Sequence, residues 1–386
     1  MSATATAPCS PHADTPPFSG SYRLEDCRFL LTPLQLAPTP VTEKERLIQS
    51  GQRHYSEMLS EEAPPTPAYL DLFHALTRTY AARLGQDVVS LAAHLEQTRT
   101  GPLTIVSLAR AGTPVGALLQ RALIHQGSRE PRHYSVSIIR DRGLDENALR
   151  HILRVDGRPP AGLVFLDGWT AKGAIAGELR AAITRWNRAN PEQLDPRLYV
   201  LSDIGGVADV AATEEDYAIP SGILNATVSG LVSRSVLNER IGPHDFHGCV
   251  YYRAFEPLDQ SVWFLDQVSA HFAQVIAQPL RTRPRTLRAR RTLDWLRLCM
   301  AQHAITDVNL VKPGIAEATR VVLRRVPDRL IVRDPHAEDL KHLLVLAEAR
   351  AVNVEIDPTL PFEAAALIRS CLERPARARA TGSEEP

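Results

Sequence analysis

The stretch GLVFLDGWTAKGAI, residues 162–175, decides the fold of this chain. A short apolar run closes on Asp167. A loop with Gly168, Thr170, Lys172 and Gly173 follows, and a helical pattern opens at residue 174. This is the sequence of a strand, a turn and a helix start. A helix start presents free backbone N–H groups and the positive end of a dipole, which suits an anion such as phosphate. Thr170 adds a hydroxyl and Lys172 a point charge. The loop is not a Walker A sequence, which needs Gly-Lys-Ser/Thr in that order, and it is not GxGxxG.

Three other apolar runs in this part of the chain have the same character: LTIVSLARAG, HYSVSIIRDRG and RLYVLSDIGG. Helical patterns at 114–126 and 174–188 lie between them. Alternation of this kind predicts an α/β domain with a parallel sheet. Ligands of such sheets bind beyond the carboxyl ends of the strands. Three of those ends carry Arg110, Asp167 and Asp203, each close to glycine. Upstream, a helix is expected at 42–59. Thr42 and Glu45 have capping-box spacing there, and Leu47, Ile48, Met58 and Leu59 supply apolar positions. Two further helices are expected at 67–84 and 86–98.

Acidic and basic residues balance at 44 each over 386 residues, so no global affinity for nucleic acid follows, although a local basic patch fits. Only Lys44, Lys172, Lys312 and Lys341 are lysines. Cys9, Cys27, Cys249, Cys299 and Cys371 are scattered without metal-binding spacing, which suits a reducing compartment. No apolar run is long enough for a bilayer and the first residues lack a signal pattern. A cytoplasmic protein without a membrane partner is expected.

Composition divides the chain into a disordered tail at 1–18, a first domain at 19–280, an Arg-rich linker at 281–297, a second domain at 298–375 and a tail at 376–386. The linker, RTRPRTLRARRTLDWLR, contains seven arginines. In the second domain a helix is expected at 314–325, then the strand RLIVRD, a helix at 336–350, the strand VNVEI and a helix at 361–372.

Asp167, Thr170 and Gly173 resemble the ribose-5-phosphate loop of type I phosphoribosyltransferases. The resemblance implies that Asp167 holds the ribose hydroxyls of phosphoribosyl pyrophosphate. Thr170, Ala171, Lys172 and Gly173 would hold its 5-phosphate. Gly168 stands where the family has a second acid. Arg110, Ala111 and Gly112 resemble the family's pyrophosphate loop. Arg140 and Arg142 lie where it places a mobile catalytic loop. Mg²⁺ would arrive with the pyrophosphate, without direct protein ligands.

Longer stretches, GSYRLEDCRFLL, IQSGQRHYSEMLSEE, EEDYAIPSGILNATVSGLVSRSVLN and IGPHDFHG, extend the likeness over about 20–275. They resemble the phosphoribosyltransferase-like family of the tellurite-resistance (Ter) stress systems, also catalogued as the cysteine protease StiP family. That implies a role in making a nucleoside-like metabolite during stress. Within these stretches His54 and Glu57 lie one helical turn apart, as a site or as a surface helix end. Asn225, Thr227, Ser229 and Ser233 line a substrate pocket or pack a tight loop; Ser229 and Arg234 are the first substrate-binding candidates. DIGGVADV binds an acceptor or turns the chain. A protease needs a nucleophile. Cys249, two residues after His247, precedes an aromatic strand and reads as a buried structural thiol, as does Cys27.

VKPGIAEATRVVLRRVPDRLIVRD resembles the pelota-type RNA-binding domain of the kink-turn-binding superfamily, an α/β/α fold. Gly314, Glu317 and Arg320 match its pattern, while Ala316 replaces the asparagine. Lys312, Arg324 and Arg325 add phosphate-binding charge, and RNA or a ribonucleoprotein is the implied partner. Together the resemblances imply a phosphoribosyl-transferring enzyme coupled to RNA binding. The alternatives are a non-catalytic phosphoribosyl-nucleotide sensor with an RNA-binding output, and a cysteine protease.

Overall fold

A parallel sheet carries the Asp167 stretch in the computed structural model, which describes residues 18–280 and 285–371. Its strands are β1 (Arg28–Leu30), β3 (Thr104–Ala109), β4 (Arg132–Ile139), β6 (Leu163–Thr170), β7 (Leu198–Asp203) and β8 (Val210–Thr213). They run in the order β1-β4-β3-β6-β7-β8, every pair parallel. A two-residue β5 (Gly143–Leu144) turns back antiparallel on β4, and β2 (Thr32–Pro33) pairs separately with β9 (Gly248–Cys249).

The helices of this domain are α1 (Val41–Gln49), α2 (Pro67–Thr98), α3 (Gly112–His125), α4 (Glu146–Arg150), α5 (Ala174–Ala189) and α6 (Ser261–Ser269). Successive strand residues point to opposite faces. Val164 and Leu166 of β6 enter the core built with α2, α3 and α6. Leu163 and Phe165 enter a second core with Ala176, Leu179, Ile183 and Trp186 of α5. A sheet buried on both faces follows from these near-continuous apolar runs.

The second domain holds β10 (Val311–Pro313), β11 (Pro327–Val332), β12 (Asn353–Ile356) and β13 (Ala364–Ile368), in the order β10-β13-β11-β12. The helices α8 (Ile315–Arg324) and α9 (Lys341–Ala349) pack on one face. On the other face, Trp295, Leu296 and Cys299 of α7 (Arg285–Gln302) pack with Ile331, Phe362, Ala365 and Leu367. This is the α/β/α layering that the pelota resemblance implies.

Four expectations change. The helix expected at 42–59 ends at Gln49. Its cap is Pro40 rather than Thr42, because Glu45 turns inward, fully buried, to meet an arginine of the second domain. The patterns at 67–84 and 86–98 form the single 32-residue helix α2. The run 281–297 is helical from Arg285 onward, since Trp295 and Leu296 have a core to enter. The helix expected at 361–372 is the strand β13. Alanine favours helices in isolation, but here every residue of Ala364–Ile368 is buried between β10, β11 and the covering helices. Of the tails, 1–17 and 372–386 lie outside the described residues; Phe18 pairs with Phe29.

The alanines of β13 leave room for α8 to sit close to the sheet. Ala366→Leu would overfill this layer. A loss of about 1–3 kcal/mol in urea unfolding of the second domain is expected.

Candidate functional site

Two glycines bring the strand ends together. A Cβ on Gly112 would lie 2.6 Å from the Leu166 carbonyl oxygen and 3.1 Å from the Asp167 Cα, and one on Gly168 would lie 3.0 Å from the Ala111 carbonyl oxygen. The Arg110–Gly112 turn therefore rests directly on the end of β6. The Ala109–Arg110 peptide is cis. Arg110 forms a buried 2.8 Å ion pair with Glu62 and donates to the Val232 carbonyl at 2.9 Å and to Asn225 Oδ1 at 3.3 Å. Ser229 donates to the Asn225 carbonyl at 2.7 Å, so it shapes the loop that meets Arg110. Ser233 is likewise internal, donating to the Arg234 carbonyl.

The strand β6 does not stop at Asp167. The strand β7 runs on to Asp203, so β6 keeps a partner through Trp169 and Thr170. The expected phosphate loop shrinks to Ala171–Gly173, with Gly173 at φ +78° as the N-cap of α5. Asp203 accepts the Val207 and Ala208 amides, so the DIGGVADV stretch turns the chain.

The second domain closes over this end of the sheet. Asp216, just beyond β8, accepts the amides of Ile315 at 3.0 Å and Glu363 at 3.0 Å. It thereby occupies the N-terminus of α8, where Gly314 backs onto Ile204. Trp169 donates through Nε1 to Glu317 at 3.3 Å, Glu317 pairs with Arg320 at 3.0 Å, and the Arg320 guanidinium lies 4.5 Å from the Trp169 ring centre. Lys172 donates at 2.6 Å to the carbonyls of both Val308 and Val311. Ala171 and Ile204 enter the second domain's own core. Arg140 donates to Asn309 at 2.7 Å, and the half-buried Arg325 pairs with the buried Glu45, one bond being 2.8 Å.

The two sets of residues singled out in the sequence, one for sugar phosphate and one for RNA, thus meet in one seam. Between Trp169, Asp216, Gly314 and Glu317 it leaves a void of about 10 Å³, room for one water at most. Arg142 is the exception among the site candidates: it pairs with Glu57 at 2.7 Å on a part-exposed surface. His54 hydrogen-bonds Ser56 and lies 4.0 Å from Asp141, and Tyr55 sits between Arg140 and Arg234, each 5.3 Å from its ring centre. The HYSE segment therefore packs under the Arg140 loop. Sequence reading missed Lys44, Glu45, Glu62, Trp169 and Asp216. Lys44 and Glu45 carried no local signal, since they stand in a run of four charged residues, Glu43 to Arg46.

Burial sets the charges of the seam. It raises the Asp167 carboxyl to about 7 against the pull of the Gly168 amide and Arg320. It raises Asp216 to about 7 despite three backbone donors and lowers Lys172 to about 7. For Glu317 burial is outweighed by Arg320 and Lys312, which hold it at about 2. The described thiols, those of Cys27, Cys249, Cys299 and Cys371, are all pushed up by burial. That is the opposite of what a thiolate nucleophile needs.

Residues 20–269 match the family described as tellurite-like stress resistance cysteine protease StiP, and residues 290–370 match the PELOTA RNA binding domain. A protein of Acinetobacter baylyi named cysteine protease StiP is 38% identical over 366 residues, covering 91% of this chain and 94% of the relative. The chain belongs to the StiP family. Among solved structures, hypoxanthine phosphoribosyltransferase of Trypanosoma cruzi aligns with 36% of this chain and 75% of its own, at 15% identity and a TM-score of 0.25. The same enzyme in complex with the product IMP aligns with 36% and 70%, at 15% identity and a TM-score of 0.25. No helix among the described residues is long and apolar enough to cross a membrane.

A carboxyl raised by burial weakens the fold as pH climbs from its unfolded value near 4 to its folded value near 7, and the loss persists above that. For Asp167 the full loss is on the order of 4 kcal/mol. Asp167→Asn should therefore raise Tm by several degrees at about pH 8 and scarcely at about pH 4, as read by calorimetric scans.

Proposed function

We propose that the protein is a phosphoribosyltransferase-like enzyme acting on phosphoribosyl pyrophosphate or a related ribose phosphate, with an RNA-binding domain as its cover. The observation that carries this reading is the direct contact of the Arg110–Gly112 turn with the Asp167 end of β6. A pyrophosphate-binding turn and a ribose-binding carboxylate must be adjacent if one ligand is to touch both.

With the domains parted, Asp167 accepts the ribose hydroxyls. Thr170 and the amides at the start of α5 take the 5-phosphate, with Lys172 free to join them. Arg110 meets the pyrophosphate. The bond from ribose C1 to pyrophosphate oxygen breaks, pyrophosphate leaves with the electron pair, and the acceptor's nucleophile forms the new bond to C1. Positive charge develops on the ribose carbon, and the Asp167 carboxylate would stabilise it. Glu62 and Asn225 hold Arg110 in place, which makes them positioning residues.

The resemblance implies Mg²⁺. Among the described residues no three His, Cys, Asp or Glu side chains converge to hold a metal ion. Asp167 beside Gly168 is a single carboxylate, which fits an ion carried in by the pyrophosphate oxygens. Bound so, it would offset the pyrophosphate charge. Calorimetric titration of phosphoribosyl pyrophosphate with Mg²⁺ should give about micromolar binding, at least about tenfold weaker in Asp167→Ala. No heat with either protein sinks this reading.

A second reading, a non-catalytic sensor, is favoured by Gly168 and by the use of Lys172 to hold the domains together. Pyrophosphate release from the donor separates the two. In both readings RNA meets the α8 face that the first domain covers, so RNA needs the open form. Lys172→Met cuts two bonds across the seam. It should raise affinity for a kink-turn hairpin RNA about fivefold or more in fluorescence anisotropy, and an unchanged affinity would place the RNA surface elsewhere. The name of the Acinetobacter relative suggests a protease, but among the described residues every thiol is pushed up by burial, which disfavours a thiolate nucleophile.

A further inference from the structure

The seam contains more buried and half-buried cations than acids to match them. Its glutamates are already used, Glu62 by Arg110, Glu45 by Arg325 and Glu317 by Arg320, while Asp167 and Asp216 accept backbone amides. Four further cations lie within electrostatic reach of this group: Lys44, Arg234, Lys312 and Arg324. None of them forms an ion pair among the described residues. Lys44, on α1, is 5% exposed, and among the described residues its ammonium donates no hydrogen bond. Arg234 donates one nitrogen to the carbonyls of Tyr55 and Met58 and keeps Nη1 buried without a partner. Arg324, on α8, has a buried Nε without a partner. Lys312 lies on β10 at the root of the same helix.

Like charges gathered out of water repel, and each also loses its hydration. Burial, then Arg234, Arg325 and Arg324, pulls Lys44 down to about 7. An anion placed among these groups would offset that cost. The placement of lysine supports the same point. Among 44 basic residues only four are lysines, and Lys44, Lys172 and Lys312 all lie at this seam.

We infer that the domain seam is a binding site for a small molecule bearing a di- or triphosphate group, held by Lys44 and Arg234 of the first domain and Lys312 and Arg324 of the second. Four cations match a polyphosphate, and exceed the needs of one carboxylate or one phosphate monoester. Both domains contribute ligands, so the anion favours the closed form. A small molecule fits better than a nucleic acid backbone, because Lys44, Glu45 and Arg110 are buried and a polymer would need a path out at both ends. The site makes no use of Asp167, and the inference stands or falls apart from the transferase reading.

The test uses the full chain and inorganic tripolyphosphate, with pyrophosphate as the shorter probe. Tripolyphosphate should bind in calorimetry and raise Tm. Lys44→Met and Arg324→Gln should each weaken binding about tenfold or more. Without anion both should be at least as stable as the wild type, because each removes a charge with no ion-pair partner among the described residues. Lys44→Arg should keep binding, which guards against a merely misfolded variant. Asp167→Ala should bind tripolyphosphate like the wild type even where it has lost phosphoribosyl pyrophosphate. Absence of a Tm rise in the wild type overturns the proposal, as does unaltered affinity in both charge-removing variants. So does binding of an oligouridylate, lost in Lys44→Met, where tripolyphosphate does not bind.

Discussion

The position of the second domain depends on the Asp216 carboxylate. Its two oxygens take the amides at the start of α8 and before β13, groups that would otherwise be open to an external anion. Once that helix end is fixed, its spacing does the rest. Glu317, Arg320 and Arg324 fall on one face, at intervals of three and four residues. The face is delivered to Trp169, Asp167 and Arg110. The same docking carries the 308–311 carbonyls to Lys172 and Arg325 to Glu45. One buried acid thus decides which residues of the two domains meet.

A consequence is that α8 serves one partner at a time. The residues that the pelota resemblance assigns to RNA are the ones turned toward the sheet. Gly314 lies against Ile204, and Arg320 lies over Trp169. Closure and RNA contact through this face exclude each other on steric grounds. A ligand that favours the closed form acts against RNA by its differential affinity for the two forms. Coupling between the domains needs no relay through the core, because the two sites share side chains.

Much of the first domain was legible in its sequence. The strands β3, β4, β6 and β7 are short apolar runs with glycine turns, and the helices α3 and α5 carry a clear 3.6-residue period. The meeting of Arg110 with Asp167 was legible too, since the carboxyl ends of neighbouring parallel strands must lie together. What escaped reading was decided by partners distant in sequence. Nothing local tells that β6 runs three residues past Asp167; that depends on how far β7 extends beside it. Nothing local makes AAALI a strand rather than a helix; that depends on neighbours on both edges and layers on both faces. Arg320 and Arg324 read as an RNA-facing basic surface because the groups they meet, Trp169 and Glu62, are more than a hundred residues away.

The choice of lysine at the seam has a physical meaning of its own. A buried guanidinium keeps its proton, whereas a buried ammonium can shed it. Lys44 and Lys172 are lowered to about 7, while Asp167 and Asp216 are raised to about 7. The two pairs act on stability in opposite directions. The acids cost stability progressively from about pH 4 up to 7 and hold that cost above it. The lysines cost nothing above about pH 10, and their cost grows as pH falls to 7 and stays below it. Both costs are complete only near neutrality, so these four groups make the seam weakest there. An anion entering beside Lys44 near neutral pH restores that lysine's charge and turns its cost into attraction. The seam is therefore built to be loose when empty and firm when an anion fills it, at the one pH range where both halves of that contrast are largest.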